Sequence, residues 1–170
     1  VSSSELGEAT FDNNEHFFIK ILKNNTYIWS TPDFPQAQTL GNVQVSVEAK
    51  KVDGVSNNLY GVICRYQDDR NFYFFVIGSD YYFGIGKVID GKYQLINRSD
   101  YPPTRAILEP LQANHIRAEC LGQQLSLYIN KQWVDQQTDA DLATGGVGLI
   151  AGTLGGEMAV EFDNFEVKGP

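Results

Sequence analysis

The sequence predicts an all-β protein, a sandwich or jelly roll of two curved antiparallel sheets, on three observations. Leu59–Val88 holds three runs rich in Val, Ile, Phe and Tyr, broken at Gln67–Asn71 and Gly78–Asp80, the pattern of a three-stranded meander. Gly41–Lys51 alternates with a period of two, Val43, Val45, Val47 and Ala49 against Gln44, Ser46, Glu48 and Lys50, so one face is packed and the other wet. No segment sustains a helical period; Ala106–Asn114 comes nearest, but it is short and contains Pro110.

Val1–Glu8 is small and polar and is expected to be a disordered tail or the end of a linker, with one domain over residues 9–170. His16–Leu22 alternates Phe17, Ile19 and Ile21 with Phe18, Lys20 and Leu22, as a strand does. Asn24–Thr26 is a turn signal and also an N-glycosylation sequon, relevant in a eukaryotic secretory host. Tyr27–Ser30 is a short strand, ended by a loop with Pro32 and Pro35. After the meander, Asp90-Gly91 is a hairpin signal leading into Lys92–Asn97. Ser99–Pro110, with Pro102 and Pro103, cannot be regular strand and should cross the surface. His115–Asn130 reads as a hairpin about Gly122-Gln123, Asn130-Lys131 turns into Gln132–Thr138, and Gly145–Gly152 and Ala159–Lys168 are the last strands.

A chain of 170 residues can bury about 70% of its unfolded surface without a metal or disulfide to help it. The formal net charge of −8, with Lys and Arg scattered, argues against nucleic acid and against anionic membranes. No run approaches a membrane span, and the first residues lack a signal peptide's basic and apolar regions. The first residue is Val1 and not Met, which suggests a processed or excised piece, so the compartment has to be inferred from elsewhere.

Cys64 and Cys120 share strand parity with apolar neighbours and should face inward, where a disulfide and two buried free thiols are both open readings. A catalytic cysteine is disfavoured, because no local His or basic residue would lower its pKa. Neither His16 nor His115 lies in a nucleophile-elbow context. Glu157 and Glu161 would stand about 13 Å apart along a strand, too far for a retaining glycosidase pair, and Asp68-Asp69 reads as a solvated turn.

The order of landmarks, VQVSVEAK, YGVICRYQ, SDYYFGIGK, HIRAECLGQQLSLYINKQWV, GGVGLIAG and the closing Phe162-Asp163-Asn164-Phe165, resembles bacterial concanavalin A-like domains. These are the laminin-G-like and 3-keto-disaccharide hydrolase-like types, relatives in fold of family 16 glycoside hydrolases, and the likeness spans about Ala9 to Val167. It implies a concanavalin A-like jelly roll, which hosts lectins, carbohydrate-binding modules, adhesion domains and hydrolases. It also implies a structural Ca²⁺ held by the Asp163 carboxylate with main-chain carbonyls near Asp12 and Gly41, all-oxygen ligation that suits calcium. Asp163 can alternatively cap a β-bulge. No Glu-x-Asp-x-x-Glu run of the family 16 type occurs, so the resemblance leans away from an enzyme.

Sugars stack on aromatic faces and take hydrogen bonds from Arg, Asn and Asp. Parity turns Arg65 outward from a central strand, and Arg117 and Tyr128 outward from the two strands of the His115–Asn130 hairpin. Tyr73, Tyr82 and Trp133 are further stacking candidates, with Trp29 beside them. For Arg65 the competing reading is an ion pair with Glu119 or Glu48 and no ligand. The expectation is a non-catalytic carbohydrate-binding or adhesion module of a secreted, periplasmic or cell-surface protein, with an oligosaccharide or glycan as partner. A 3-keto-disaccharide hydrolase-type enzyme, or a structural domain binding another protein, are the alternatives.

Overall fold

In a computed structural model the structure describes residues 2–12, 16–33, 39–109 and 111–169; Val1, Pro35 and Pro110, named above as tail or loop residues, lie outside them. Along the chain run β1 (Ser2–Ser4), β2 (Gly7–Phe11), β3 (Phe17–Ile21), β4 (Thr26–Ser30), β5 (Val43–Gly54), β6 (Asn58–Asp68) and β7 (Asn71–Ile77). They are followed by β8 (Phe83–Ile89), β9 (Lys92–Leu95), β10 (Asn114–Leu121), β11 (Gln124–Ile129), β12 (Gln132–Thr138), β13 (Gly146–Thr153) and β14 (Met158–Lys168). An eight-stranded sheet has the order β1-β2-β3-β14-β5-β10-β11-β12 and a six-stranded sheet the order β4-β13-β6-β7-β8-β9. This is a jelly-roll sandwich. The N-terminus departs from expectation: Ser2 pairs with Ala9 and Ser4 with Gly7, so a stretch read as a disordered tail supplies an edge hairpin.

Between the sheets lies the core that the alternation foretold. Val43, Val45, Val47 and Ala49 of β5, with Ile116 and Ala118 of β10, meet Tyr60 and Val62 of β6 and Val147 and Ala151 of β13, all buried. Cys64 and Cys120 are joined by a disulfide across the two sheets, with their Cα atoms 6.8 Å apart.

A second apolar layer covers the other face of the six-stranded sheet. Ile63, Phe72, Phe74, Val76, Val88 and Ile150 are buried there, beneath Tyr27, Trp29, Tyr66, Leu95 and Tyr101. The Tyr27 and Tyr93 rings stack with centroids 4.9 Å apart, although β4 and β9 are the two outermost strands of that sheet. Five strand spacings would separate those edges by about 24 Å in a flat sheet, further than two tyrosine side chains reach. The sheet therefore curls about its own outer face and fills the hollow with aromatic rings. Glycines make this possible: a Cβ on Gly152 would lie 2.3 Å from the Tyr27 ring, and one on Gly86 would lie 2.2 Å from that of Phe74.

Candidate functional site

Arg65 does not face solvent. Gly146 pairs with Tyr66 and Val147 with Cys64, which leaves Arg65 as the extra residue of a β-bulge, at φ 52°. The bulge turns the side chain into the end of the sandwich, where it is 2% exposed. Its guanidinium donates to the carbonyls of Leu142 (2.8 Å), Gly122 (2.5 Å) and Gly41 (3.4 Å). It meets neither Glu119 nor Glu48, and it ties three loops together instead of presenting a ligand group.

Arg117 and Tyr128 do come together, but on the outer face of the eight-stranded sheet. The guanidinium carbon stands 3.8 Å from the Tyr128 ring centroid and Nη2 lies 3.4 Å from Glu119, while the buried Nε has no partner. Tyr73 is fully buried; its hydroxyl donates to Asp139 (2.6 Å) and accepts from the Leu142 amide, so it is not a platform. Tyr82 is exposed and bridges to Pro103, near Asp80, Asp100 and Tyr101.

The residues expected to hold calcium are divided: Asp163 lines one cleft with Phe11, while Gly41 lies apart. Asp163 pairs in register with Glu48, roughly 23 Å of chain from Gly41, and the Gly41 carbonyl accepts from Arg65. The Asp163 carboxylate accepts from the Asn164 amide (2.7 Å) at a bulge where Asn164 has φ 51°, the capping alternative. Asp12 accepts from the His16 amide (3.0 Å). Among the described residues no three His, Cys, Asp or Glu side chains are grouped to hold a metal.

Trp133 stands elsewhere, and it is 60% exposed. Asn130 and Lys131, both at positive φ, make the tight turn that delivers it at the start of β12, the edge of its sheet. Opposite runs the proline-containing loop after β9. Asn130 Nδ2 donates to the Ala106 carbonyl (2.8 Å), and the Thr104 amide donates to the Tyr81 carbonyl (2.8 Å), so turn and loop are fastened to one another and to the sheet. Between them opens a cleft of about 530 Å³, to which Asn97, Arg98, Arg105, Gln132, Trp133 and Asp135 contribute.

The chemistry of this cleft is one-sided. Asn97 accepts from the Ile85 amide through Oδ1 (3.1 Å), and its buried Nδ2 has no partner. Arg98 and Arg105 are exposed, and among the described residues neither has a hydrogen-bond or ion-pair partner. Asp135, by contrast, accepts from the Gln136 amide (2.9 Å) and from Gln137 Nε2 (3.0 and 3.1 Å). Trp133 was legible as an aromatic in a short hairpin strand. Asn97, Arg98, Arg105 and Asp135 were not singled out; the one signal was that two arginines sit at the start and within an irregular, proline-rich loop.

The hollow of the six-stranded sheet is the other aromatic feature. Trp29 Nε1 (2.9 Å) and the Tyr66 hydroxyl (2.5 Å) both donate to one oxygen of Asp69. Burial, reinforced by that carboxylate, pushes the Tyr66 hydroxyl up to about 12, and burial does the same to Tyr93. These rings pack on Phe72 and on one another, so the hollow is largely filled from within.

No family model matches the chain, and no curated protein matches its sequence. Its fold has many counterparts. The carbohydrate-binding module CBM66 from Bacillus subtilis is similar over 96% of this chain and 92% of that one, at 13% identity and a TM-score of 0.77. A protein of unknown function with a galectin-like fold, also from Bacillus subtilis, covers 96% and 87% at 9% identity and a TM-score of 0.69. Sheep galectin-11, solved with glycerol, covers 86% and 99% at 10% identity and a TM-score of 0.56. At such identities the likeness is one of fold.

Proposed function

We propose that the protein is a non-catalytic carbohydrate-binding module of a larger extracytoplasmic protein, and that it takes its glycan in the Trp133 cleft. One observation carries this reading: an indole face left open to solvent beside unpaired guanidiniums. A pyranose or furanose ring can lay its apolar face on the indole while its oxygens accept from Arg98 and Arg105. The sandwich frame gives the site rigidity, because both walls hang from strands. The similar fold of a carbohydrate-binding module supports the reading by analogy. The disulfide supports an oxidising, extracytoplasmic setting.

A hydrolytic reading has less to stand on. Glycoside hydrolysis in its usual form needs two carboxylates flanking the scissile bond, and among the described residues the cleft holds only Asp135, whose oxygens are already engaged. The test is calorimetric titration and affinity electrophoresis against a panel of neutral and acidic polysaccharides, with Trp133→Ala alongside the natural protein. Trp133→Ala should weaken binding at least about tenfold, as loss of a central aromatic anchor does, and leave the melting temperature unchanged. Absence of binding across the panel, or undiminished binding by Trp133→Ala, overturns the proposal.

A further inference from the structure

We infer that the glycan of this cleft is acidic and carries carboxylate groups, as a hexuronate does; this rests on the carbohydrate-binding reading above. The reason is an imbalance of donors over acceptors. Arg98 and Arg105 each offer five N–H donors and no acceptor, and among the described residues both are unpaired. The carboxylate that would balance them, Asp135, is held by Gln137 and by the Gln136 amide. A neutral sugar brings hydroxyls that must donate as well as accept. A carboxylate brings acceptors only, in a planar pair that suits a guanidinium fork.

The charge of the whole molecule makes this local excess more telling. The chain carries a formal net charge of −8, yet this cleft gathers two unpaired guanidiniums. At physiological ionic strength the interaction between exposed charges falls off over about 8 Å, so a ligand in the cleft responds to Arg98 and Arg105 more than to the distant acidic surface.

The experiment compares three ligands of equal length on the natural protein: oligogalacturonate, the same oligosaccharide after carboxyl reduction, and a sulfated galactan oligosaccharide. Binding is measured at rising salt and repeated with Arg98→Gln/Arg105→Gln and with Trp133→Ala. Oligogalacturonate should bind at least about tenfold tighter than its reduced form, a difference of about 1.4 kcal/mol, and salt should erode the gap. The double arginine variant should bring acid and neutral ligands level, and Trp133→Ala should weaken both. Both arginines are exposed, so an unchanged melting temperature separates these effects from misfolding. Equal or better binding of the reduced ligand, indifferent to the arginines, overturns the acidic inference and leaves the carbohydrate reading standing. Preference for the sulfated ligand overturns the carboxylate assignment. Failure of all three ligands, with no binding across the wider polysaccharide panel, removes the carbohydrate reading itself.

Discussion

A guanidinium enclosed by protein must find oxygens for its N–H groups, and Arg65 finds them on the backbones of Gly41, Gly122 and Leu142. Arg65→Ala would strand these carbonyls and empty the volume, costing about 3 kcal/mol; denaturant unfolding should register that loss, while glycan titration at the Trp133 cleft should stay as before. Strand parity assigned Arg65 to the solvent face because parity assumes an unbroken ladder. One residue at φ 52° breaks it, and a left-handed arginine has no signature in a run such as VICRYQ. Trp133 was recognisable because a tryptophan three residues beyond Asn130 in a two-residue hairpin leaves little choice of position. Its partners Asn97, Arg98 and Arg105 come from a loop more than 25 residues earlier in the chain, and contacts such as the Asn130 to Ala106 hydrogen bond bring the two segments together.

Elements meet through polar anchors as well as through the core. Lys87 on β8 donates to Asp139 (2.5 Å) and Asp141 (2.7 Å) in the segment after β12, and the Tyr73 hydroxyl of β7 donates to the same Asp139. Burial alone would raise the Asp139 pKa, but the Lys87 ammonium and the Tyr73 hydroxyl outweigh it and hold the carboxyl below its ordinary value. A carboxyl whose folded pKa is depressed adds stability above its unfolded pKa of about 3.9 and loses it as the pH falls through the folded value. Asp139→Asn should therefore cost about 3 kcal/mol at neutral pH, and its deficit against the natural protein should shrink only below about pH 4; urea unfolding across pH measures both. In strands with one wet face, β5 and β10, the inward residues could be read one by one, although Ser46, placed on the wet face, is buried. The meander could be read only as strands, because NFYFFVI is apolar on both faces, and nothing in it reveals that the second face is roofed by Tyr27 and Trp29 from β4.

At the scale of the molecule, the two sheets are held by one interface and one covalent link. Cys64 and Cys120 stand 56 residues apart in sequence, and closing a loop of that length stabilises the fold by about 4 kcal/mol in the chain-entropy account. Reduction, or Cys64→Ala with Cys120→Ala, should lower the melting temperature by roughly 10 °C, read by calorimetry with and without reductant. The sandwich itself was foreseeable from composition and alternation, whereas the curl of the six-stranded sheet, fixed by Tyr27 and Tyr93 meeting from its opposite edges, was not. That curl bears on how the protein lives beside its own copies. An open sheet ends in strands whose free amides and carbonyls can recruit a neighbour's strand and start a fibre. Here β4 and β9 are bent towards one another over a plug of rings, so neither margin extends a flat sheet that a neighbour's strand could simply continue.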